Sequence, residues 1–306
     1  MIKNLVLSGG GQRGLCYVGI IKYLEEIGII NNIFNIMGVS VGSIFALMIN
    51  LNINYKQLSV LLSIFKTDIG ELNINDIFSF FDTFGIESGK QLEKFIKACI
   101  KVKLGNEDAT FTDLFNFNNN KRLLIVATEL SYRQREIFSY EHTPNLELWK
   151  AIRISCSYPL YYQPIRIDDK IYVDGGVCCN YPIDYFKNDL DNTIGIVFKD
   201  INPNHKFSIN NITDYITSIF SIVTTSTEEQ LIELYKDNTI SIDTNVDEIL
   251  DYKMSKELKE KYFEIGYNEF KTKWIEKFTE FSITDNNNTY NPNWKNELDD
   301  IKSELI

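Results

Sequence analysis

The chain is predicted to be an α/β protein, built on a layered, mostly parallel sheet flanked by helices. Two consecutive strand, glycine loop and helix units near the N-terminus predict this architecture, because alternation of strands and helices is typical of parallel sheets. Two later segments, residues 123–127 and 193–198, are apolar apart from Thr193, as strands buried on both faces of a sheet are. In such folds the functional sites lie at the carboxyl ends of the strands. The predicted strands of the two units span residues 3–8 and 34–39, and their helices span residues 14–28 and 42–50.

The first unit carries a glycine loop, Ser8-Gly9-Gly10-Gly11-Gln12-Arg13-Gly14, directly after its strand. Adjacent glycines can turn their N–H groups into one small space, which is what an oxyanion hole requires, and Arg13 adds a positive charge. The same loop also satisfies the G-x-G-x-x-G pattern of dinucleotide sites. That alternative requires an acidic residue at the end of the next strand, whereas the next strand here ends at Ser40.

The second unit places Ser40 in the segment Gly38-Val39-Ser40-Val41-Gly42. This G-x-S-x-G pattern between a strand and a helix is typical of a nucleophile elbow. The flanking Gly38 and Gly42 would let the two backbones approach closely, and the N-terminus of the following helix would favour developing negative charge. The alternative is a glycine-rich turn that carries a surface serine.

A third motif, Val173-Asp174-Gly175-Gly176, follows a predicted pair of strands at residues 165–167 and 170–172 with a turn at Asp168-Asp169. A carboxylate presented in this way could take the proton of the serine directly. The alternative for Asp174 is an ordinary Asp-Gly turn.

The supply of histidine bears on the choice between a Ser/Asp dyad and a triad. The chain has two histidines, His142 and His205, and the order Ser40, Asp174, His205 is compatible with an α/β-hydrolase triad. Both histidines lie in polar segments that look like surface turns, without a frame that would orient an imidazole. We therefore expect a dyad and keep the triad as an alternative.

Taken together, these motifs resemble the patatin-like phospholipases over roughly residues 3 to 185. The resemblance implies an oxyanion loop at Gly9, Gly10, Gly11, Arg13 and Gly14, a nucleophile Ser40 between Gly38 and Gly42, and a base Asp174 followed by Gly175 and Gly176. Residues 110–114, 151–159 and 180–182 also resemble the family. Where smaller side chains are usual, this chain has Ile154, Cys156 and Tyr158, which we expect to reshape the acyl pocket.

The resemblance implies a phospholipase A type of lipid acyl hydrolase that needs no cofactor and acts in lipid catabolism or membrane remodelling. Its substrate would be a phospholipid or another acyl ester. Two alternatives stay open: a neutral-lipid hydrolase or transacylase, and a catalytically weak lipid-binding or storage protein with the same fold.

Composition narrows the partners. The net charge of −11 disfavours nucleic acid and strongly anionic membranes, while the aromatic segment at residues 77–86 is either an interfacial contact or lid, or part of the core. We expect peripheral membrane contact and no metal site. The five cysteines are expected to be reduced core thiols. With no signal peptide or transmembrane span in view, we expect a cytoplasmic or peripheral membrane location, although delivery as an effector would leave no mark in the sequence.

Three regions are expected along the chain. Residues 3–205 would form the catalytic core, and residues 206–284 a helical C-terminal part packed on it, with long helices near 213–234 and 255–281. Residues 285–306 are rich in Asn and acidic side chains and are expected to form a loosely ordered tail.

Overall fold

The computed structural model describes residues 1–64, 82–200, 209, 212–244, 255–278 and 294–305. The strands are β1 (Asn4–Leu7), β2 (Asn35–Val39), β3 (Gly85–Glu87), β4 (Arg122–Glu129), β5 (Gln134–Ser139), β6 (Leu160–Tyr162), β7 (Ile165–Ile167), β8 (Lys170–Asp174), β9 (Thr193–Asp200) and β10 (Thr239–Thr244). The helices are α1 (Cys16–Glu26), α2 (Val41–Asn50), α3 (Tyr55–Ile64), α4 (Lys90–Leu104), α5 (Phe111–Phe117), α6 (Leu148–Ser155), α7 (Gly176–Cys179), α8 (Ile212–Leu234), α9 (Lys256–Lys277) and α10 (Trp294–Leu305).

Eight of these strands form one sheet in the order β10-β9-β1-β2-β4-β8-β7, with β5 also paired to β4. The pairs from β10 to β4 are parallel, and the pairs that involve β5, β7 and β8 are antiparallel. The predicted mostly parallel sheet is therefore confirmed, as is the predicted pairing of residues 165–167 with 170–172.

The sheet is buried on both faces, which explains why its central strands are apolar without interruption. Along β4, Leu123 and Ile125 belong to the larger core cluster, with side chains of α1, α2, α4 and α9. The alternate residues Leu124 and Val126 belong to a second cluster, which includes Tyr181 and Ile232. Helices therefore cover the sheet on both sides, as the fold class predicts.

Strands β2 and β8 share one edge of β4 and run toward each other along it. The pairing of β2 with β4 ends at Val39↔Val126, and the antiparallel pairing of β8 begins at Asp174↔Ala127. Because β5 pairs with β4 across both positions, β2 and β8 must lie on the opposite edge. The carboxyl ends of β2 and β8 consequently meet, and the residues that follow them are neighbours.

The C-terminal part adds a strand as well as helices. Strand β10 extends the sheet beside β9, which differs from the purely helical region that the sequence predicted. Helix α9 crosses α1 closely, since a Cβ at Gly19 would collide with the backbone of residues 263–267, and a Cβ at Gly266 with that of Cys16. The residue bounds of the three regions, 3–205, 206–284 and 285–306, stay a prediction.

Part of the segment predicted as a loosely ordered tail is helical. Helix α10 buries Ile301 completely, and Lys103 Nζ donates to Glu297 Oε2 at 2.7 Å. The amphipathic spacing of α10 gives it an apolar side to bury, which outweighs its many charged residues. Residues 285–293 and Ile306, which make up the rest of that segment, are outside the described residues.

Candidate active site

Ser40 lies at the sharp turn between β2 and α2, partly exposed, with φ 51° and ψ −127°. A positive φ is strained for a residue with a side chain. The turn is closed by Ser43, whose N–H and hydroxyl donate to Ser40 O at 2.8 and 2.6 Å. The Ser40 side chain is thus held at the N-terminus of α2, where the helix dipole favours negative charge.

The two glycines around Ser40 are required by close approach of the backbone. A Cβ at Gly42 would collide with Leu7 O and lie 2.6 Å from Ser8 O. A Cβ at Gly38 would lie 2.5 Å from Gly42 O and 2.6 Å from Ser43 Cα. The G-x-S-x-G pattern therefore has the steric cause that the sequence analysis assigned to it.

Asp174 is the last residue of β8 and is 3% exposed. Its Oδ1 accepts a 2.8 Å hydrogen bond from the Gly176 N–H, whereas its buried Oδ2 has no hydrogen-bond partner among the described residues. Burial raises the pKa of Asp174 to about 7, and the nearby Ser40 side chain and the Gly176 N–H lower that pKa by less. The Ser40 side chain therefore lies close to this carboxyl.

The glycine loop lies against the serine turn. A Cβ at Gly9 would lie 3.2 Å from Ser40 Cβ, and the 3₁₀-helix Gly11–Leu15 begins directly after Gly10. The first N–H groups of a helix have no partners inside it, so Gly11 can direct its N–H outward. A Cβ at Gly14 would lie 2.6 Å from Val41 Cγ1, which fixes the loop on α2.

Arg13 closes the glycine loop upon itself. Its backbone N–H donates to Gly10 O at 3.1 Å, and its Nε lies 3.4 Å from the same oxygen. Gly175 lies at the junction of β2 and β8, where a Cβ would lie 2.8 Å from Val126 C and 3.1 Å from Val39 Cγ1. The structure thus brings the three predicted motifs together around Ser40.

Ser155, at the end of α6, connects these motifs through hydrogen bonds, a role that was not predicted from the sequence. Its hydroxyl accepts from the Ser40 N–H at 2.9 Å and donates to Val126 O at 2.7 Å. Its carbonyl accepts from the Gly175 N–H at 3.3 Å, and Ser157 O accepts from the Asp174 N–H at 2.9 Å. The resemblance at residues 151–159 was the signal for this segment, but a motif does not show which atoms bond.

The two histidines differ in what can be said of them. His142 is exposed, and its Nδ1 lies 3.1 Å from the hydroxyl of Ser139. Ser139 is the last residue of β5, which pairs with the edge of β4 opposite to β2 and β8. His205 lies outside the described residues, so the triad alternative stays a prediction. Half of the aromatic segment 77–86, residues 77–81, lies outside them too, whereas Phe84 is exposed.

All five cysteines are free, and four of them are buried. Cys156 Sγ lies 3.7 Å from the hydroxyl of Ser43. Burial, with the neighbouring Asp174 charge, raises the pKa of Cys156 to about 12, so its thiol stays protonated at neutral pH. Because the thiolate is the reactive form, the Cys156 thiol is not a nucleophile at neutral pH.

A sequence model of the family described as patatin-like phospholipase matches residues 5–187. The chain therefore belongs to the patatin-like phospholipase family, a family of lipid hydrolases, and the predicted resemblance is confirmed. The match covers the glycine loop, Ser40 and Asp174, and it ends before β9.

Two viral proteins are similar to this chain. An uncharacterized protein, R571, of Acanthamoeba polyphaga mimivirus is 36% identical over 290 residues, which are 90% of this chain and 94% of that protein. A probable lipid hydrolase, 463L, of Invertebrate iridescent virus 6 is 32% identical over 186 residues, which are 60% of this chain and 62% of that protein. The alignment with the second relative therefore spans less than two thirds of its length.

The fold is similar to that of VipD from Legionella pneumophila, with a TM-score of 0.59 and 18% sequence identity. The similarity covers 89% of this chain and 66% of that one, and it bears on the fold alone. Among the described helices, none combines the length and the apolar character needed to cross a bilayer.

Proposed function

We propose that the protein is a serine lipid acyl hydrolase of the phospholipase A type, in which Ser40 and Asp174 act as a catalytic dyad. One observation carries the proposal: a buried carboxyl with one unpartnered oxygen lies beside a serine on a strained turn. Strained residues and perturbed carboxyl groups concentrate at functional sites.

In this mechanism Ser40 Oγ attacks the ester carbonyl while Asp174 takes the serine proton. A pKa of about 7 suits a base that must both accept and return a proton near neutral pH. The tetrahedral intermediate collapses, the alcohol leaves with the proton from Asp174, and the acyl group stays on Ser40. Water then attacks the acyl-serine with Asp174 as base, which releases the fatty acid and restores the serine.

The negative charge of the intermediate would be held by the N–H groups of Gly10 and Gly11. These residues adjoin Gly9, which contacts Ser40, and donors fixed before reaction stabilise an oxyanion without reorganisation. The Gly9 N–H already donates to Asn180 O at 3.3 Å, so we assign Gly9 to the support of the loop. Arg13 would hold the loop or contact a substrate phosphate.

A phospholipid surface is the proposed partner, with the protein either cytoplasmic or peripheral to a membrane. Tyr215, Ile219 and Ile222 of α8 are exposed and recur at the spacing of one helix face. Between residues 212 and 227 the helix has a single charged residue, Asp214. An apolar helix face with almost no charged residues is suited to a zwitterionic lipid surface more than to an anionic one.

The test is release of fatty acid from mixed phospholipid vesicles, with a chelator present throughout. We expect the wild type to be active and both Ser40→Ala and Asp174→Asn to be inactive. Ser59→Ala and Asp191→Asn, which alter exposed residues, are the matched controls and should retain activity. Activity that survives in Ser40→Ala or in Asp174→Asn would contradict the dyad.

Two further arms separate the alternatives. In the triad, His205→Ala would lower the rate by about 10⁴-fold, whereas the dyad predicts full activity for this variant. An inactive wild type that binds the same vesicles would favour the lipid-binding or storage protein. The lipids consumed would distinguish phospholipid from neutral-lipid hydrolysis.

A further inference from the structure

Asn180, just after α7, lies against Gly9 of the glycine loop. Its backbone carbonyl accepts from the Gly9 N–H at 3.3 Å, and its Nδ2 lies 3.5 Å from Gly9 O. A Cβ at Gly9 would collide with Asn180 Oδ1. Gly9 therefore packs closely against Asn180 and lies near Ser40, so the position of the loop depends on where Asn180 is held.

The Asn180 side chain is in turn held by Glu228 of α8. Asn180 Nδ2 donates to Glu228 Oε2 at 3.0 Å. Glu228 comes from a helix beyond the segment that matches the family. A hydrogen bond to a carboxylate is stronger than one between neutral groups, so this contact connects α8 firmly to the loop.

Glu228 is a partly buried carboxyl group with positively charged side chains near it. Burial raises the pKa of Glu228, and it is opposed by the Asn180 hydrogen bond and by the positive charges of Arg13 and Lys199, while Glu229 raises the pKa slightly. Arg13 belongs to the glycine loop itself. The direct contact between Glu228 and the loop's support is the hydrogen bond from Asn180.

We propose that Glu228 is a positioning residue, which accepts the Asn180 hydrogen bond and so keeps the glycine loop against Ser40. This inference rests on the proposed hydrolase function, since it assigns a role in the same site. Oxyanion donors work only when they are placed within a fraction of an ångström. Loss of the acceptor would let Asn180 and Gly9 move, and the chemical step would slow while substrate binding changed little.

Glu228→Gln and Glu228→Met form a matched pair for the test. The two replacements have similar length, but only the amide oxygen of Gln can accept from Asn180 Nδ2. The full chain would be assayed on a soluble p-nitrophenyl ester, with the rate of Ser40 labelling by a fluorophosphonate as a second readout. Glu229→Gln, on the exposed neighbour, removes the same charge and is the control.

We expect Glu228→Met to lower kcat and the labelling rate by about tenfold or more, with KM within about twofold. Glu228→Gln should stay within about threefold of the wild type. Asn180→Ala should reproduce the loss, and combining it with Glu228→Met should add little, because both remove one interaction. Should Glu228→Met fail to fold, Asn180→Ala measured against the wild type still tests the contact.

Equal rates for the Met and Gln variants would overturn the positioning role, whether both are active or both impaired. Equal impairment would assign the effect to the charge of Glu228 rather than to the hydrogen bond. A wild type that neither hydrolyses the ester nor reacts with the fluorophosphonate would instead overturn the proposed hydrolase function, and the positioning role with it.

Discussion

Replacing Asp174 by Asn should abolish activity and at the same time stabilise the folded protein at neutral pH. The pKa of Asp174 rises from its ordinary value of 3.8 to about 7 on folding. Between these two pH values the unfolded chain has lost the proton that the folded protein keeps, so the free energy of unfolding falls as pH rises. Above pH 7 the folded protein holds a buried charge at its full cost, and Asn removes that charge.

The magnitude follows from the pKa difference. A difference of about 3, at 1.36 kcal/mol for each pKa unit, corresponds to a ceiling of about 4 kcal/mol. The Asn oxygen can still accept from the Gly176 N–H, but its amide nitrogen replaces the unpartnered Oδ2. An imperfectly paired donor costs about 1 to 3 kcal/mol. We therefore expect a net gain of about 1 to 3 kcal/mol at pH 8.

Urea unfolding of wild type and Asp174→Asn across pH 4 to 8 measures this difference. Near pH 4 the variant should be less stable than the wild type by about 1 to 3 kcal/mol, because only the cost of the amide donor remains. The difference should shift in favour of the variant by about 4 kcal/mol up to about pH 7 and then stay constant. The wild type's kcat/KM should rise over the same interval, because the base must be ionised. A variant that is less stable than the wild type at pH 8, or a gain that does not depend on pH, would refute the reasoning.

Three further outcomes are expected. Ser155→Ala leaves the Ser40 N–H and Val126 O without their partner, so it should lower the free energy of unfolding by about 2 to 4 kcal/mol and kcat by about tenfold or more; an unchanged kcat would contradict its supporting role. Gln12 is 5% exposed, and neither atom of its amide has a partner among the described residues. Gln12→Met should raise the free energy of unfolding by about 1 kcal/mol in urea, and a loss instead would show that the amide is paired. Ile222 is 70% exposed, so Ile222→Glu should weaken sedimentation with zwitterionic vesicles about fivefold and leave soluble-ester hydrolysis unchanged; equal vesicle binding would exclude this face as the contact.

The sequence contained the fold class and the three motifs because each depends on local chemistry. The strands were visible as apolar runs, and Gly38 and Gly42 marked the turn at Ser40 through close backbone contact. Strand β10 was not predicted from the sequence. It is short and lies between two segments with long helical patterns, and its alternating burial is visible only in the structure. The role of Ser155 could not be predicted, since its hydroxyl bonds across 115 residues of sequence to Ser40.

Glu228 is a second residue whose contact could not be predicted from the sequence. In the sequence it is one of two adjacent acidic residues in a helix, and such a pair usually marks a solvated face. Only the register of α8 distinguishes Glu228, which contacts Asn180, from the exposed Glu229. A pattern along one helix cannot show which of two neighbouring carboxylates is turned toward another loop.

The geometry of the site depends on strand register more than on the loops that carry its residues. Ser40 and Asp174 meet because the β2 pairing ends at Val126 and the β8 pairing starts at Ala127. A slip of β8 by one residue would turn Asp174 to the opposite face of the sheet. The strained backbone at Ser40 costs about 1 to 3 kcal/mol, and the buried Asp174 charge adds its own cost. A sheet with both faces buried can offset these costs while it holds the register, and both residues lie at the carboxyl ends of inner strands, since β2 pairs with β1 and β4 and β8 pairs with β4 and β7.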